Sequence, residues 1–158
     1  MKTALFISRF QPMHLGHLKV IEWILKKYDK VIIVIGSSQE SDTEKNPFTT
    51  KERREMIDKS LEDEGIKKYE IIEIPDVHDD DVWVKSILER VKFDTVFTMN
   101  SWVKKCFEKF NITVEEHPKF GNISASKIRK LIKEGKEWEH LVPKGVVKIV
   151  KKHQVFKG

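Results

Sequence analysis

Two short stretches of the 158-residue chain carry side chains suited to handling phosphate. The first is Arg9-Phe10-Gln11-Pro12-Met13-His14-Leu15-Gly16-His17 and the second is Ile123-Ser124-Ala125-Ser126-Lys127-Ile128-Arg129. The first lies between the apolar run Ala4-Leu5-Phe6-Ile7 and an amphipathic segment over 18–25, so it reads as the turn from a strand into a helix. A helix N-terminus offers unpaired N–H groups and the positive end of a dipole. A glycine between two histidines lets a phosphate approach the backbone while the imidazoles reach its oxygens. Two histidines three apart also suit a buried pair or a metal. The metal reading lacks a third matching ligand nearby and the Glu of the zinc-protease pattern. In the second stretch Ser124 or Ser126 can cap a helix, and Arg129 falls on the same face of its first turn. Hydroxyls, free N–H groups and a guanidinium make a second phosphate site, with a plain cap beside a surface arginine as the alternative. Two such helix starts suit a substrate with several phosphates held at both ends of its chain.

The elements between them must bring these stretches together. Residues 3–8 form an almost continuously apolar first strand. Leu18, Ile21, Ile24 and Leu25 recur at helical spacing in a helix expected to end near Asp29, and residues 31–35 are a β-branched second strand. Strand, helix and strand in so short a span imply a parallel, right-handed βαβ unit. A long polar loop, 36–48, follows; Thr49 or Thr50 then caps a second helix, with Glu52 in the capping-box position for Thr49, and Gly65 ends it. Further strands are expected over 69–74, 95–99 and, as an edge, 112–115. Helices are expected over 83–88, 102–110, 126–134 and 143–152. The alternation predicts one doubly wound open parallel sheet with helices on both faces, and ligands outside the carboxyl ends of its strands. There the clusters 9–17, 37–45, 76–83 and 98–100 converge, since each follows a strand.

Composition narrows the class. Charged residues make up 35% and the hydrophobic set 39%, as in soluble globular proteins. No apolar run approaches a membrane span, no signal-peptide pattern opens the chain, and a cytoplasmic location is expected. The single Cys106 reads as a helix-buried thiol. The net charge of +5 fits either nucleic acid or polyphosphate. No aromatic-basic recognition stripe is present, so no nucleic-acid partner is expected. Lys144, Lys148, Lys151, Lys152 and Lys157 read as a solvated helix face.

The paired stretches resemble the two signatures of the HxGH nucleotidyltransferases, Arg9-Phe10-Gln11-Pro12 with His14-x-Gly16-His17 and Ile123-Ser124-x-Ser126-x-x-Arg129. Gly36-Ser37-Ser38-Gln39-Glu40-Ser41, Asn46-Pro47-Phe48-Thr49, Glu52-Arg53, Trp83-Val84 and Trp138-Glu139-x-Leu141-Val142-Pro143 are similar to the archaeal type of nicotinamide mononucleotide (NMN) adenylyltransferase. The resemblance implies a Rossmann-like single nucleotidyltransferase domain over 1–158, helical from about residue 124. It implies transfer of AMP from ATP to NMN, giving NAD and pyrophosphate. His14, His17 and Arg129 would be catalytic, while Ser8, Arg9, Phe10, Gln11, Gly16, Lys45, Ser124 and Ser126 would hold ATP. Asp80, Trp83 and Asn100 would hold the acceptor, with Trp83 stacked on the nicotinamide or else a core residue. Mg²⁺ would be held mainly by phosphates, without a dedicated protein site, and a homo-oligomer is implied.

The chain departs from the family pattern at Ser8 (usually Gly), Asp42 (His), Lys45 (Arg), Asp80 (Asn) and Met99-Asn100-Ser101 (Gly-Asn-Pro). The competing expectations are another phosphorylated acceptor such as nicotinate mononucleotide, CTP as donor, or a non-catalytic nucleotide or nucleic-acid binder.

Overall fold

The structure, a computed structural model, describes residues 1–153. Five parallel strands, β1 (Thr3–Ser8), β2 (Lys30–Ile35), β3 (Tyr69–Glu73), β4 (Thr95–Phe97) and β5 (Val114–Glu115), lie in the order β3-β2-β1-β4-β5. The order reverses beside β1, between β1 and β4, so the sheet is doubly wound and a crevice opens there. Register carries Ser8 opposite Ile35, Ile35 opposite Glu73, and Phe6 and Glu115 opposite Phe97. The loops after all five strands therefore leave from one edge.

Alternation along the strands sorts side chains into two apolar layers. Ala4, Phe6, Val31, Ile33 and Ile35 pack with α1 (Leu15–Leu25), α2 (Thr50–Asp63), α5 (Ala125–Lys133) and α6 (Lys144–Lys152). Leu5, Ile32, Val34, Ile72 and Val96 face α3 (Asp80–Arg90) and α4 (Ser101–Glu108). The expected fold class is observed, with helices on both faces. Thr49 caps α2, its hydroxyl accepting from Glu52 N–H at 3.1 Å while the Glu52 carboxylate accepts from Thr49 N–H at 2.9 Å.

Several boundaries differ from the sequence expectation. Helix α1 stops at Leu25, short of Asp29. Tyr28 turns inward to donate its hydroxyl to Thr95 Oγ1 at 2.9 Å, and Asp29 N–H binds the Lys2 carbonyl at 2.8 Å, so the chain must leave helical geometry. Helix α3 begins at Asp80 because the Asp79 carboxylate accepts from Asp81 N–H and Val82 N–H, drawing the acidic turn into its first turn. Strand β4 ends at Phe97, where Thr98 Oγ1 takes the Asn100 N–H. Residues 139–141 add a 3-10 turn that the sequence reading lacked. Lys144, Lys148, Lys151 and Lys152 are exposed on α6, and Lys157 lies outside the described residues. Among the described residues, no helix is long and apolar enough to cross a membrane.

Candidate functional site

The strand-end loops and the starts of α1 and α5 line a cleft of about 490 Å³. Its floor begins where β1 ends. Phe10 adopts a left-handed backbone, φ 54°, a strained conformation for a bulky residue. Burial holds it there, with its ring 5.9 Å from Phe6 and 4.6 Å from His17 between centroids. That turn leaves Arg9 exposed on the cleft wall.

Helix α1 then starts with an unusual cap. His14 is extended at φ −137°, and its Nδ1 accepts from Gly16 N–H at 3.0 Å and from His17 N–H at 3.3 Å. In return His17 Nδ1 accepts from His14 N–H at 3.1 Å. Two imidazoles thus make the reciprocal box that Ser and Glu usually make. The cap also fixes their tautomers. With each Nδ1 accepting, the proton of each neutral ring sits on Nε2. His17 Nε2–H donates to Ser8 Oγ at 3.1 Å, and the two rings stack at 3.7 Å between centroids. Gly16 is required by this cap. A Cβ there would lie 2.8 Å from His14 Cε1 and 2.9 Å from its Nδ1.

Burial pushes the His14 pKa down to about 4 and holds that of His17 well below the ordinary value, with His14 and His117 adding repulsion. Both rings are therefore neutral donors at neutral pH. Between the unfolded value near 6.5 and about 4, the unfolded chain binds a proton at His14 that the folded protein refuses, so stability falls as pH falls through this window. His14→Asn keeps a capping oxygen but cannot titrate. In nucleotide-free urea unfolding, the wild type should lose on the order of 3 kcal/mol more than this variant between pH 7.5 and 4.

The second strand-end loop is pinned by two side chains. Gln11, expected on ATP, is 1% exposed and directs its amide elsewhere. Nε2 donates to the Phe48 carbonyl at 3.1 Å and Oε1 accepts from Phe48 N–H at 2.9 Å, so it anchors the far end of the 36–48 loop. Arg53, on α2, is fully buried. Its guanidinium donates to the carbonyls of Arg9 (3.1 Å), Gly36 (2.9 Å), Ser37 (3.2 Å) and Glu40 (3.1 Å), and Nε donates to that of Thr49 (3.3 Å). Burial lowers its pKa and Glu73 opposes the shift. The guanidinium remains charged and ties the loop after β1 to the loop after β2. The sequence reading assigned Arg53 no role; its place in a polar helix gave no sign of burial.

At the far wall Ser124 caps α5, its Oγ accepting from Lys127 N–H at 3.2 Å. Ser124 itself does not line the cleft, whereas Ser126 and Arg129 do. Arg129 Nη1 donates to the Gln11 carbonyl at 2.8 Å, joining the two phosphate-suited stretches, and burial with Arg9 nearby lowers its pKa. Lys45 lines the same cleft from the 36–48 loop.

On the side of α3 and α4 the expectations are redistributed. Trp83 is buried, 5.0 Å from Trp102 and 5.7 Å from Phe107 between centroids, so it is a core residue whose surface forms part of the cleft floor. Trp102, which the sequence reading did not single out, is 42% exposed on the lining and has the freer ring face. Asn100 lines the cleft while its Oδ1 caps α4, accepting from Trp102 and Val103 N–H. Asp80 does not line it. The first turn of α3 carries Asp80 to the Cys106 thiol, whose pKa burial and this carboxylate raise. Asp76, the first residue of the acidic turn, is the carboxylate on the lining. His117 also lines it, its Nδ1–H donating to the Pro118 carbonyl at 2.9 Å; no motif marked it.

Imidazole donors and guanidinium groups at two helix starts, gathered at the switch point of a doubly wound sheet, form a cleft whose lining suits the phosphates of a nucleotide. The chain belongs to the cytidylyltransferase-like family, which matches residues 5–131. It is 44% identical to a nicotinamide-nucleotide adenylyltransferase of Thermococcus onnurineus over 154 residues, 95% of this chain and 82% of that one. It is also 44% identical to the enzyme of the same name from Pyrococcus furiosus over 157 residues, 96% of this chain and 84% of that one. The fold matches the crystal structure of a bifunctional NMN adenylyltransferase/ADP ribose pyrophosphatase from Francisella tularensis complexed with AMP and a Mn ion. That match has a TM-score of 0.82 and 24% identity over 99% of this chain, which spans 51% of that chain.

Proposed function

We propose that residues 1–158 act as one nucleotidyltransferase domain, transferring AMP from ATP to NMN to give NAD and pyrophosphate. The names of the archaeal relatives support this reading over another acceptor, CTP, or a non-catalytic binder. The observation that carries it is the Arg129 bond to the Gln11 carbonyl, which closes the two phosphate-suited stretches around one cleft.

In this reading an oxygen of the NMN phosphate, already ionised at neutral pH, attacks the α-phosphorus of ATP. A new P–O bond forms, the bond from the α-phosphorus to the bridging oxygen breaks, and pyrophosphate carries away its electron pair. No strong general base is needed, so positioning and charge stabilisation do most of the work. His14 and His17, held as Nε2–H donors, hydrogen-bond oxygens on which charge builds. Arg9, Lys45 and Arg129 neutralise the polyphosphate, with Ser8 and Ser126 as hydroxyl partners. Phe10, Gln11 and Ser124 act by fixing the loops and the cap. Trp102 and Asn100 face the acceptor, over the floor made by Trp83.

The cleft lining carries cations, the neutral imidazoles of His14 and His17, and one carboxylate, Asp76, so a divalent cation would draw its ligands from phosphate oxygens and water. Mg²⁺ is the cation we assign, and when bound it supplies Lewis-acid stabilisation of the phosphate charge. A cytoplasmic location and a homo-oligomeric state belong to the same proposal. Pyrophosphate release should match NAD formation one to one when ATP, NMN and Mg²⁺ are all supplied. Absence of release with NMN, alongside turnover of another acceptor, would overturn this reading.

A further inference from the structure

The charges on the cleft lining are divided. Arg9 leaves β1, Lys45 lies in the loop after β2, Lys119 follows β5, and Arg129 projects from α5 to the Gln11 carbonyl, so four cations line the cleft. The ends of β3 and β4, leading into α3 and α4, carry the floor of Trp83, the ring of Trp102 and the one carboxylate of the lining, Asp76. Asp76 pairs with Gln39 of the loop after β2. Its N–H donates to Gln39 Oε1 at 2.9 Å, and its Oδ2 accepts from Gln39 Nε2 at 3.0 Å. No arginine, lysine or histidine is hydrogen-bonded or ion-paired to it among the described residues, so its negative charge stays expressed toward the cleft.

We infer that Asp76 is the residue by which the acceptor end of the cleft selects a cationic pyridinium ring bearing an uncharged carboxamide over the same ring bearing a carboxylate. The inference rests on the proposed function and names a specificity determinant within it. NMN carries a quaternary ring nitrogen and a neutral amide. Its ring is attracted by the Asp76 carboxylate and by the π-face of Trp102. Nicotinate mononucleotide shares the ribose phosphate and differs by one negative charge at the ring substituent, which Asp76 repels. Phosphate recognition by the cations is common to both nucleotides and cancels in their ratio.

The test compares kcat/KM for the two nucleotides in the wild type and in Asp76→Asn, which keeps an oxygen for Gln39 and removes only the charge. The wild type should prefer NMN, and the substitution should shrink that preference by about tenfold, the shift expected when one screened like-charge interaction is removed. In the wild type alone, raising salt should narrow the ratio, because the discriminating charge is near solvent. The salt measurement needs no variant and so does not depend on how Asp76→Asn folds. A wild type that turns over NMN with an unchanged ratio in Asp76→Asn, or a salt-independent ratio, overturns the inference alone. Turnover of neither nucleotide overturns the inference together with the proposed function.

Discussion

Asp and Glu have no part in the first expected result, which concerns an imidazole: His17→Asn should lower kcat by about 10²–10³-fold, the scale seen when one donor to developing charge is removed. Affinity for ATP should change by roughly threefold or less, because a bond that tightens as the transition state forms contributes little to ground-state binding. Asn is chosen because its Oδ1 can replace Nδ1 as acceptor of the His14 N–H, keeping the 3.1 Å half of the cap while deleting the Nε2–H. His17→Ala removes both, so it should show the same loss of turnover together with a loss of stability. Steady-state kinetics beside ATP titration of each variant separates the two effects. Equal losses in kcat and ATP affinity for His17→Asn would give His17 a ground-state binding role instead.

The second large effect belongs to Arg53. Arg53→Met fills similar space with an apolar chain and leaves the Arg9, Gly36 and Glu40 carbonyls without the guanidinium that binds them. An unsatisfied buried polar group costs ~1–3 kcal/mol, and several sharing one donor couple, so we expect a loss of about 4 kcal/mol or more in urea unfolding. Arg53→Lys offers three donors from a single point and cannot span the loops after β1 and β2, so it should recover only part of the loss. At temperatures where both variants stay folded, kcat/KM should still fall, since Arg53 holds the carbonyl of Arg9 and the loop that carries Lys45. Full activity in folded Arg53→Met would mean that the two loops hold their positions without it.

The periodic signals in the sequence proved reliable guides to the sheet, because burial on both faces leaves β-branched runs such as 31–35 little alternative. The two phosphate-suited stretches meet as expected, since each follows or faces a strand end. What the sequence concealed were directions of individual side chains. Asp80 and Asp76 are both exposed acids of one turn. Only the start of α3 at Asp80, dictated by the Asp79 cap, turns the former toward Cys106 and leaves the latter on the cleft. Trp83 and Trp102 have the same chemistry, and the packing of α3 on α4 decides which is covered. Gln11 was visible in its motif, yet its partner, the Phe48 backbone, lies 37 residues away and no local pattern points to it. The histidine cap was hidden for another reason: imidazoles are not the usual capping groups, and the reciprocal bonds emerge only from the backbone geometry at His14.

The bond between Arg129 and the Gln11 carbonyl spans 118 positions of sequence, and it bears on when the cleft comes into existence. Contacts of such high sequence separation form late, after the loop-closure entropy has been overcome by the strands between them. A chain that ends before α5 carries the residues of the histidine cap and lacks Arg129. Such a chain would present half a phosphate site, without the guanidinium that closes it. A nucleotide that binds only the completed cleft would stabilise the docking of the last helices by mass action.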